Sequence, residues 1–234
     1  IMRKTVPTLK KIAAIITEYR PNAHADAIVT KFLKGFPTDQ DVYPPRVELA
    51  SMYVDQFPKN DLSRYYAAEY NVPIYSSIVK ALTLGGNQLA VDGVLLIGEH
   101  GDYAWNEKEQ HLYPRKYFLE QTCGVLATSG RVVPIFNDKH LAYNWADASW
   151  MYNRTRQLKA PFMAGSILPL CWRNPWLEHP QEAPIQEALV IGYSGLDYYG
   201  FHALETLQCM IERRAGGETG VSAVTCLEGE LVWN

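Results

Sequence analysis

The sequence has few of the features that mark zinc-binding, redox-active, nucleic-acid-binding or membrane proteins. Its cysteines never form a Cys-x-x-Cys pair, so a zinc knuckle or a redox dithiol is not expected. We interpret them as free thiols in a reducing compartment and expect a cytoplasmic protein. The four cysteines are Cys123, Cys171, Cys209 and Cys226.

Positive charge and long apolar runs are also scarce. The 22 lysine and arginine residues are outnumbered by 25 acidic residues, which leaves a formal net charge of −3 and argues against nucleic acid as a partner. No apolar run approaches the length of a membrane span, and the basic N-terminal stretch lacks the apolar core of a signal peptide. We therefore expect a protein that binds neither nucleic acid nor membrane.

Short apolar segments alternate with helical patterns along the first two thirds of the chain. Such alternation predicts βαβ units with right-handed crossovers. The expected fold is therefore α/β, a Rossmann-like parallel sheet with helices on both faces, followed by part of an α+β domain. The predicted strands cover residues 11–17, 46–54, 73–75, 91–97, 132–136 and 161–164.

Proline and tryptophan become frequent from about residue 168, which indicates a domain junction. We predict a nucleotide-binding domain over residues 1–167 and a partial or reduced α+β domain, for substrate binding or oligomerisation, over 168–234. Strands at 188–193 and 221–227 and a helix at 199–213 are expected in the second domain. Because so small a sheet has open edges, we expect a C-terminal continuation or pairing with another subunit, and hence a homo-oligomer.

Polar and charged side chains follow several predicted strands. In a parallel sheet these positions share one edge, where ligands bind, so we expect them to converge on one pocket. The alternative is a set of solvated turns. The residues are Glu18, His24, Asp55, Glu99, His100, Asp102, Asp138, Lys139 and His140.

The order of these segments resembles that of the glucose–fructose oxidoreductase and inositol dehydrogenase (Gfo/Idh/MocA) family. Three stretches carry the resemblance. They read AVDGVLLIGEHGDY from Ala90, NDKHLAYNWADASWMYNRTRQLKAPFMAG from Asn137, and SGLDYYGFHALETLQCMIERRAGGETGVSAV from Ser194.

The resemblance implies a Rossmann domain joined to a substrate domain, and a reaction that uses NAD or NADP on a hydroxyl group of a sugar or cyclitol. Lys139 matches the family's motif lysine, which contacts substrate and cofactor, and His202 matches its catalytic histidine. Asp138 stands where the motif has glutamate. The implied catalytic residues are Lys139, His202 and Asp138, and the implied substrate-binding residues are His100, Asp102, His140 and Tyr198. The implied cofactor-binding residues are Glu18, Arg20, Asn22, Asp55 and Glu99.

The first strand–helix turn departs from the family. A Rossmann turn needs glycines so that the backbone can approach a pyrophosphate, but residues 17–23 read TEYRPNA. We therefore predict that a dinucleotide binds weakly or in a shifted pose, with Arg20 as its main phosphate contact and Asn22 as a capping amide. Asp55 is placed to accept ribose hydroxyls, which favours NAD over NADP.

Three functions remain open from the sequence. The first is a nicotinamide-dependent oxidoreductase for a sugar, cyclitol or similar polyol. The second is a non-redox hydrolase, lyase or isomerase on the same scaffold, which uses either acid–base groups alone or a divalent metal held by His202 and Glu205 with His100 and Asp138. No segment has tight metal-ligand spacing, so no metal residue is assigned. The third is a non-catalytic ligand-binding protein. The missing glycines argue against the first, and the combination of Lys139 with His202 argues against the third.

Overall fold

The computed structural model describes residues 9–233, and the chain divides into two compact units, one ending at Ser166 and one beginning at Ile167. None of the described helices has the length and apolar character needed to cross a lipid bilayer. The strands are β1 (Lys10–Glu18), β2 (Phe36–Pro37), β3 (Val42–Tyr43), β4 (Val47–Gln56), β5 (Ile74–Tyr75), β6 (Gly93–Ile97), β7 (Ile135–Asp138) and β8 (Phe162–Gly165). The helices are α1 (His24–Lys34), α2 (Ser63–Tyr70), α3 (Ile78–Thr83), α4 (Arg115–Ser129), α5 (Trp145–Leu158) and α6 (Phe201–Ile211).

The first unit is built on a six-stranded sheet with the order β5-β4-β1-β6-β7-β8. Every neighbouring pair in this sheet is parallel. This is the doubly wound order in which the chain runs outward from β1 in both directions. The expected Rossmann-like α/β fold is confirmed. A separate short antiparallel pair, β2 with β3, lies between α1 and β4 along the chain.

Strand β1 is buried on both faces because helices cover both sides of the sheet. Ala13 and Ile15 belong to the core that includes residues of α3, α4 and α5. Ala14 and Ile16 belong to the core that includes residues of α1 and α2. A strand buried in this way is a continuous apolar run, which is why the sequence pattern here is unambiguous.

The second unit contains helix α6, preceded by a wide helical turn at Leu196–Gly200, and short single-turn helices at Leu168–Leu170 and Gly229–Val232. The strands predicted at 188–193 and 221–227 are wrong, because both stretches are irregular in the described chain. A strand needs a partner for its backbone groups and an apolar face to bury. Leu189 and Ile191 are 84% and 86% exposed, so this stretch has neither.

Paired isoleucine substitutions test this difference. We expect Ile16→Ala, in the fully buried β1, to lower the free energy of unfolding by roughly 2–5 kcal/mol because it leaves a cavity. We expect Ile191→Ala to change it by no more than about 0.5 kcal/mol, since an exposed side chain loses little packing. Denaturant unfolding followed by circular dichroism measures both. A large loss for Ile191→Ala would show that residues 188–193 pack as a strand after all.

Candidate functional site

The candidate site lies at the carboxyl ends of the central strands, where the chain order reverses between β1 and β6. Glu18 ends β1, Glu99 follows β6, and Asp138 ends β7. All three carboxylates are buried. Burying three acids at one edge is costly unless cations or hydrogen-bond donors compensate them, and the structure supplies a separate partner for each.

Glu99 is compensated by two buried cations. One of its oxygens accepts a hydrogen bond from Arg115 Nη2, and the other accepts one from Lys139 Nζ at 2.9 Å. Burial by itself would raise the pKa of Glu99, but the charges of Arg115 and Lys139 outweigh it and hold this pKa at about 2. Glu99 is therefore a permanent anion at neutral pH.

Asp138 is paired with a histidine that is distant along the chain. His24, the first residue of α1, places Nδ1 2.6 Å from Asp138 Oδ2. The His100 ring meets the His24 ring edge-on, with the ring centroids 5.1 Å apart. Burial, and then the nearby His24, lower the pKa of His100 to about 4, so His100 is neutral at physiological pH. Three loops that are distant in sequence thus contribute to one cluster.

The backbone at Lys139 explains how its side chain reaches Glu99. Lys139 has a φ of 64°, a left-handed conformation that is uncommon for a residue with a long side chain. The Asn137 side-chain amide lies 3.3–3.4 Å from the carbonyl oxygens of Asp138, Lys139 and His140, and Gly165 N donates to Lys139 O. These bonds hold the turn that directs Lys139 into the site. Such backbone conformations are often found at functional positions.

Arg115 is a central residue that sequence reasoning missed. It begins α4, donates to Glu99, and places Nη1 3.0 Å from His140 Nε2. Its guanidinium also lies over the Tyr113 ring, 4.8 Å from the ring centroid. Gly98 makes room for it, since a Cβ at that position would lie 2.7 Å from Arg115 Cγ. A glycine before Glu99 and an arginine at a helix start are weak signals on their own, and only the fold brings them together.

In the first strand–helix turn, nearby carboxylates bond to the groups that the sequence predicts to contact a phosphate. Arg20 Nε donates to Glu18 Oε1 at 2.5 Å, and the backbone N–H of Asn22 donates to Asp26 Oδ2 at 3.0 Å. Asn22 has a φ of 61°, so it takes the left-handed conformation that glycine usually supplies. The prediction that Asn22 acts as a capping amide is wrong for the helix itself, because Ala23 is the N-cap of α1 and has no side-chain cap.

Tyr19, in the same turn, does not obstruct the crevice. Its side chain is fully buried in the core below the turn and its hydroxyl bonds to Thr30 Oγ1 at 2.6 Å. Burial is also the main reason why the pKa of Tyr19 is raised. The bulky residue in a position where the family has glycine is therefore part of the core and not part of the site surface.

Asp55, near the end of β4, is held by two tyrosines. Tyr53 and Tyr103 donate their hydroxyl groups to its two oxygens at 2.6 and 2.7 Å. Burial and these bonds raise the pKa of both tyrosines, so they remain donors. The neighbouring Gln56 side chain bonds to the backbone N–H and carbonyl of Asp102, while the Asp102 side chain faces solvent. The loop after β6 is thus fastened to β4 through Asp55 and Gln56.

The structure brings most of the predicted residues together. Glu99, Lys139, His100, Asp138 and His140, with His24, form a contiguous cluster. Glu18 and Arg20 pair with each other in the adjoining turn, and Asp55 pairs with tyrosines at its own strand end. Tyr198 and His202 belong to the second unit, in the wide turn and on α6, and their assigned roles stay predictions. Within residues 9–233 there is no group of three or more His, Cys, Asp or Glu side chains arranged to hold a metal ion.

No protein-family model matches the chain, and no curated protein matches it. Several solved structures resemble it. UDP-N-acetylglucosamine 3-dehydrogenase GnnA from Acidithiobacillus ferrooxidans is 12% identical with a TM-score of 0.44, over 70% of this chain and 40% of that one. An NAD binding oxidoreductase from Klebsiella pneumoniae is 17% identical with a TM-score of 0.43, over 69% and 35%. Apo scyllo-inositol dehydrogenase from Lactobacillus casei is 10% identical with a TM-score of 0.40, over 68% and 37%.

Two of these proteins are described as dehydrogenases and the third as an NAD binding oxidoreductase. The present chain spans about two fifths of their length or less. At these identities the similarity is one of fold alone. The fold assignment itself rests on the parallel strand order of the sheet.

The depressed pKa of Glu99 leads to a prediction about acid stability. Because its folded-state pKa of about 2 lies below the ordinary value of 4.5, folding favours the ionised form. This stabilisation, about 3 kcal/mol, is complete above pH 4.5 and is lost as the pH falls towards 2. Between pH 4.5 and pH 2, we expect the free energy of unfolding of Glu99→Gln to fall less than that of the wild type. At neutral pH the same change should cost roughly 3–5 kcal/mol, because Arg115 and Lys139 lose their counter-ion.

Denaturant unfolding at a series of pH values measures both effects. The matched control is Glu120→Gln on the exposed face of α4, which should leave the profile unchanged. A Glu99→Gln variant that keeps the full acid dependence of the wild type would contradict the assignment.

Proposed function

We propose that the protein is an oxidoreductase that interconverts a hydroxyl and a carbonyl group on a sugar, cyclitol or similar polyol, with NAD or NADP as the hydride carrier. The observation that carries the proposal is the buried Lys139 ammonium, which Glu99 holds beside the His24–Asp138 pair. It lies at the strand edge where doubly wound sheets bind their ligands. Lys139 and Asp138 are also the residues to which the sequence resemblance assigns catalysis.

Lys139 is suited to stabilise negative charge on a substrate oxygen. Its ammonium has three N–H donors, and one of them is directed to Glu99. A second can donate to a hydroxyl or carbonyl oxygen in the crevice, where low solvent exposure strengthens the interaction. Glu99 stays ionised because of its low pKa, so it positions Lys139 without competing as a proton donor.

The His24–Asp138 pair is suited to accept the hydroxyl proton. The Asp138 carboxylate fixes the orientation of the imidazole through Nδ1, which leaves Nε2 to face a substrate. The His24 side chain is 31% exposed, which makes it accessible, whereas Lys139 is nearly covered. In this proposal His24 joins the predicted set of Lys139, Asp138 and His202. His202 as general base, Tyr198 as a substrate contact, and a homo-oligomeric assembly remain parts of the proposal that follow from the resemblance.

The turn at 18–23 fits a dinucleotide in some respects. Asn22 supplies the left-handed backbone, Arg20 supplies a cation, and α1 begins without a side-chain cap. Helix N-termini attract phosphate groups. Asp55 is positioned by Tyr53 and Tyr103, and its carboxylate would accept ribose hydroxyls, which favours NAD. When bound, the nicotinamide would supply the hydride-accepting carbon.

Glu18 and Asp26 oppose that binding, which leads to a prediction. A phosphate must compete with Glu18 for Arg20, so we expect Glu18→Gln to tighten NADH binding and Arg20→Ala to weaken it by roughly 10- to 100-fold, the worth of a charge-assisted hydrogen bond. Isothermal titration calorimetry with NADH and NADPH measures the affinities. Arg64→Ala, on the exposed face of α2, is the control.

Two outcomes would count against this assignment. Tight NADH binding that ignores both substitutions would place the phosphates elsewhere. If neither nucleotide binds, the redox proposal fails, and a non-redox hydrolase, lyase or isomerase at the same edge becomes the better candidate.

The roles of Lys139 and His24 predict a loss of turnover. We expect Lys139→Met and His24→Gln each to lower kcat by roughly 10²- to 10⁴-fold, the range for a lost proton-transfer group. The assay follows NADH absorbance with a panel of hexoses, inositols and nucleotide sugars. Lys80→Met, on the exposed side of α3, is the control for removing a lysine.

Because Lys139→Met leaves Glu99 paired with Arg115 alone, its thermal unfolding must be measured alongside. A folded His24→Gln variant with full activity would remove His24 from the mechanism.

A further inference from the structure

A hairpin over residues 103–113 stands between β6 and α4, beyond the cluster described above. Asn106 N donates to Gln110 O at 3.1 Å and Leu112 N donates to Ala104 O at 2.9 Å. The Trp105 and His111 rings stack in parallel with centroids 4.1 Å apart, and Tyr113 continues the row at 4.1 Å from His111. These stacked rings give a short hairpin a rigidity that its backbone bonds alone would not provide.

The tip of the hairpin is closed by its own side chains. Asn106 Oδ1 accepts hydrogen bonds from the backbone N–H groups of Lys108 and Gln110, and Asn106 Nδ2 donates to Gln110 Oε1. Gln110 Nε2 then donates to Tyr143 O at 2.9 Å, which fastens the tip to the segment before α5. The tip is therefore held in place from both sides.

The start of α5 is equally well defined. The Asn144 side chain caps the helix by accepting from Asp147 N at 2.8 Å. The cap fixes Trp145 as the first helical residue, and Trp145 is 86% exposed. Exposure alone does not mark a site, since Trp172 is 81% exposed too. Trp145 differs in that it forms one wall of a cleft whose lining combines apolar surface with polar groups.

This cleft, between the hairpin tip and the start of α5, has a volume of about 550 Å³. That size lies within the range of small-molecule sites. Its walls carry an aromatic face together with both hydrogen-bond donors and hydrogen-bond acceptors. The lining includes Asn106, Glu107, Lys108, Gln110, Tyr143 and Trp145.

We propose that this cleft binds a neutral sugar ring, with the apolar face of the ring stacked on Trp145. Trp and Tyr rings combine a large apolar surface with a polar tip, which matches the mixed surface of a pyranose. Lys108 can donate and Glu107 can accept, so together they can bind adjacent hydroxyl groups. Both side chains are exposed, and the hydrogen bonds of the tip involve only the backbone N–H of Lys108.

The charges that line the cleft indicate which class of ligand it binds. The carboxylate of Glu107 balances the ammonium of Lys108, and the Asn144 cap with the Asp147 carboxylate offsets the positive end of α5, so the cleft has little excess charge to attract a phosphate or carboxylate. Amides, a hydroxyl and an indole N–H complete the walls, and these favour neutral, hydroxyl-rich ligands. Because the tip and the α5 cap are already ordered, binding does not have to order them. Binding here requires no dinucleotide, so this proposal stands independently of the proposed redox function.

The test is a titration of the protein with cellobiose, chitobiose, maltose and myo-inositol, followed by the indole N–H signals in two-dimensional NMR. The Trp145 signal is assigned from its absence in Trp145→Ala. We expect at least one sugar to shift it at millimolar concentrations, and Trp145→Ala to weaken the binding, measured by calorimetry, by about tenfold or more. Trp172→Ala is the matched control for an exposed tryptophan and should bind as the wild type does.

Further variants distinguish sugar binding in this cleft from sugar binding at the central cluster. His24→Gln, at the central cluster, should leave the Trp145 shift unchanged, and Glu107→Ala should reduce it. The proposal is overturned if none of the four sugars shifts the signal, if Trp145→Ala binds as tightly as Trp172→Ala, or if His24→Gln abolishes the shift. It is also overturned if sedimentation shows that the wild type self-associates and that Trp145→Ala does not, because Trp145 would then be covered by a second copy of the chain.

Discussion

Two cations, Arg115 and Lys139, meet the single carboxylate of Glu99 almost out of reach of solvent. A buried carboxylate without partners would be protonated or excluded from the interior, and buried cations without it would carry a similar cost. Each member of the cluster therefore requires the others. Glu99 follows β6, Lys139 follows β7 and Arg115 begins α4, so the cluster also links three loops at the edge where the strand order reverses. The His24–Asp138 pair then depends on the left-handed turn at Lys139, because that turn sets the position of Asp138 beside it.

Carboxylates at this edge of the sheet are compensated differently at the central cluster and at the first strand–helix turn. At the centre, acids and bases compensate one another, and in the proposed mechanism Lys139 and His24 face the substrate. At the first strand–helix turn, Glu18 and Asp26 occupy donors that a pyrophosphate would need. The proposed proton transfer and the proposed cofactor binding therefore differ in how much the site must rearrange. Proton handling uses groups that are already arranged, whereas nucleotide binding has to displace a carboxylate from Arg20.

Local pattern was sufficient to predict much of this site, but only for residues next to a strand end. Glu99, Asp138 and Lys139 could be found because polar residues directly follow apolar runs, and parallel strands bring such positions to one edge. Arg115 could not be found in that way, because the hairpin over residues 103–113 separates it from β6. The role of Tyr19 was also hidden, since a tyrosine in a turn reads as exposed until the core beneath it is known. The apolar stretches at 188–193 and 221–227 read as strands because the pattern records hydrophobicity, whereas a strand also requires a partner.

The sequence by itself determined where the six strands of the main sheet fall along the chain, the parallel character of that sheet and the edge at which polar residues collect. It did so because hydrophobic periodicity and chain connectivity are local properties, and right-handed crossovers leave few ways to assemble them. Only the tertiary structure decided which charges pair. The partners of Glu99 lie 16 and 40 residues away, and His24 meets Asp138 across 114 residues. An ion pair forms between atoms that the fold brings within about 3 Å, and no spacing along the chain encodes that distance.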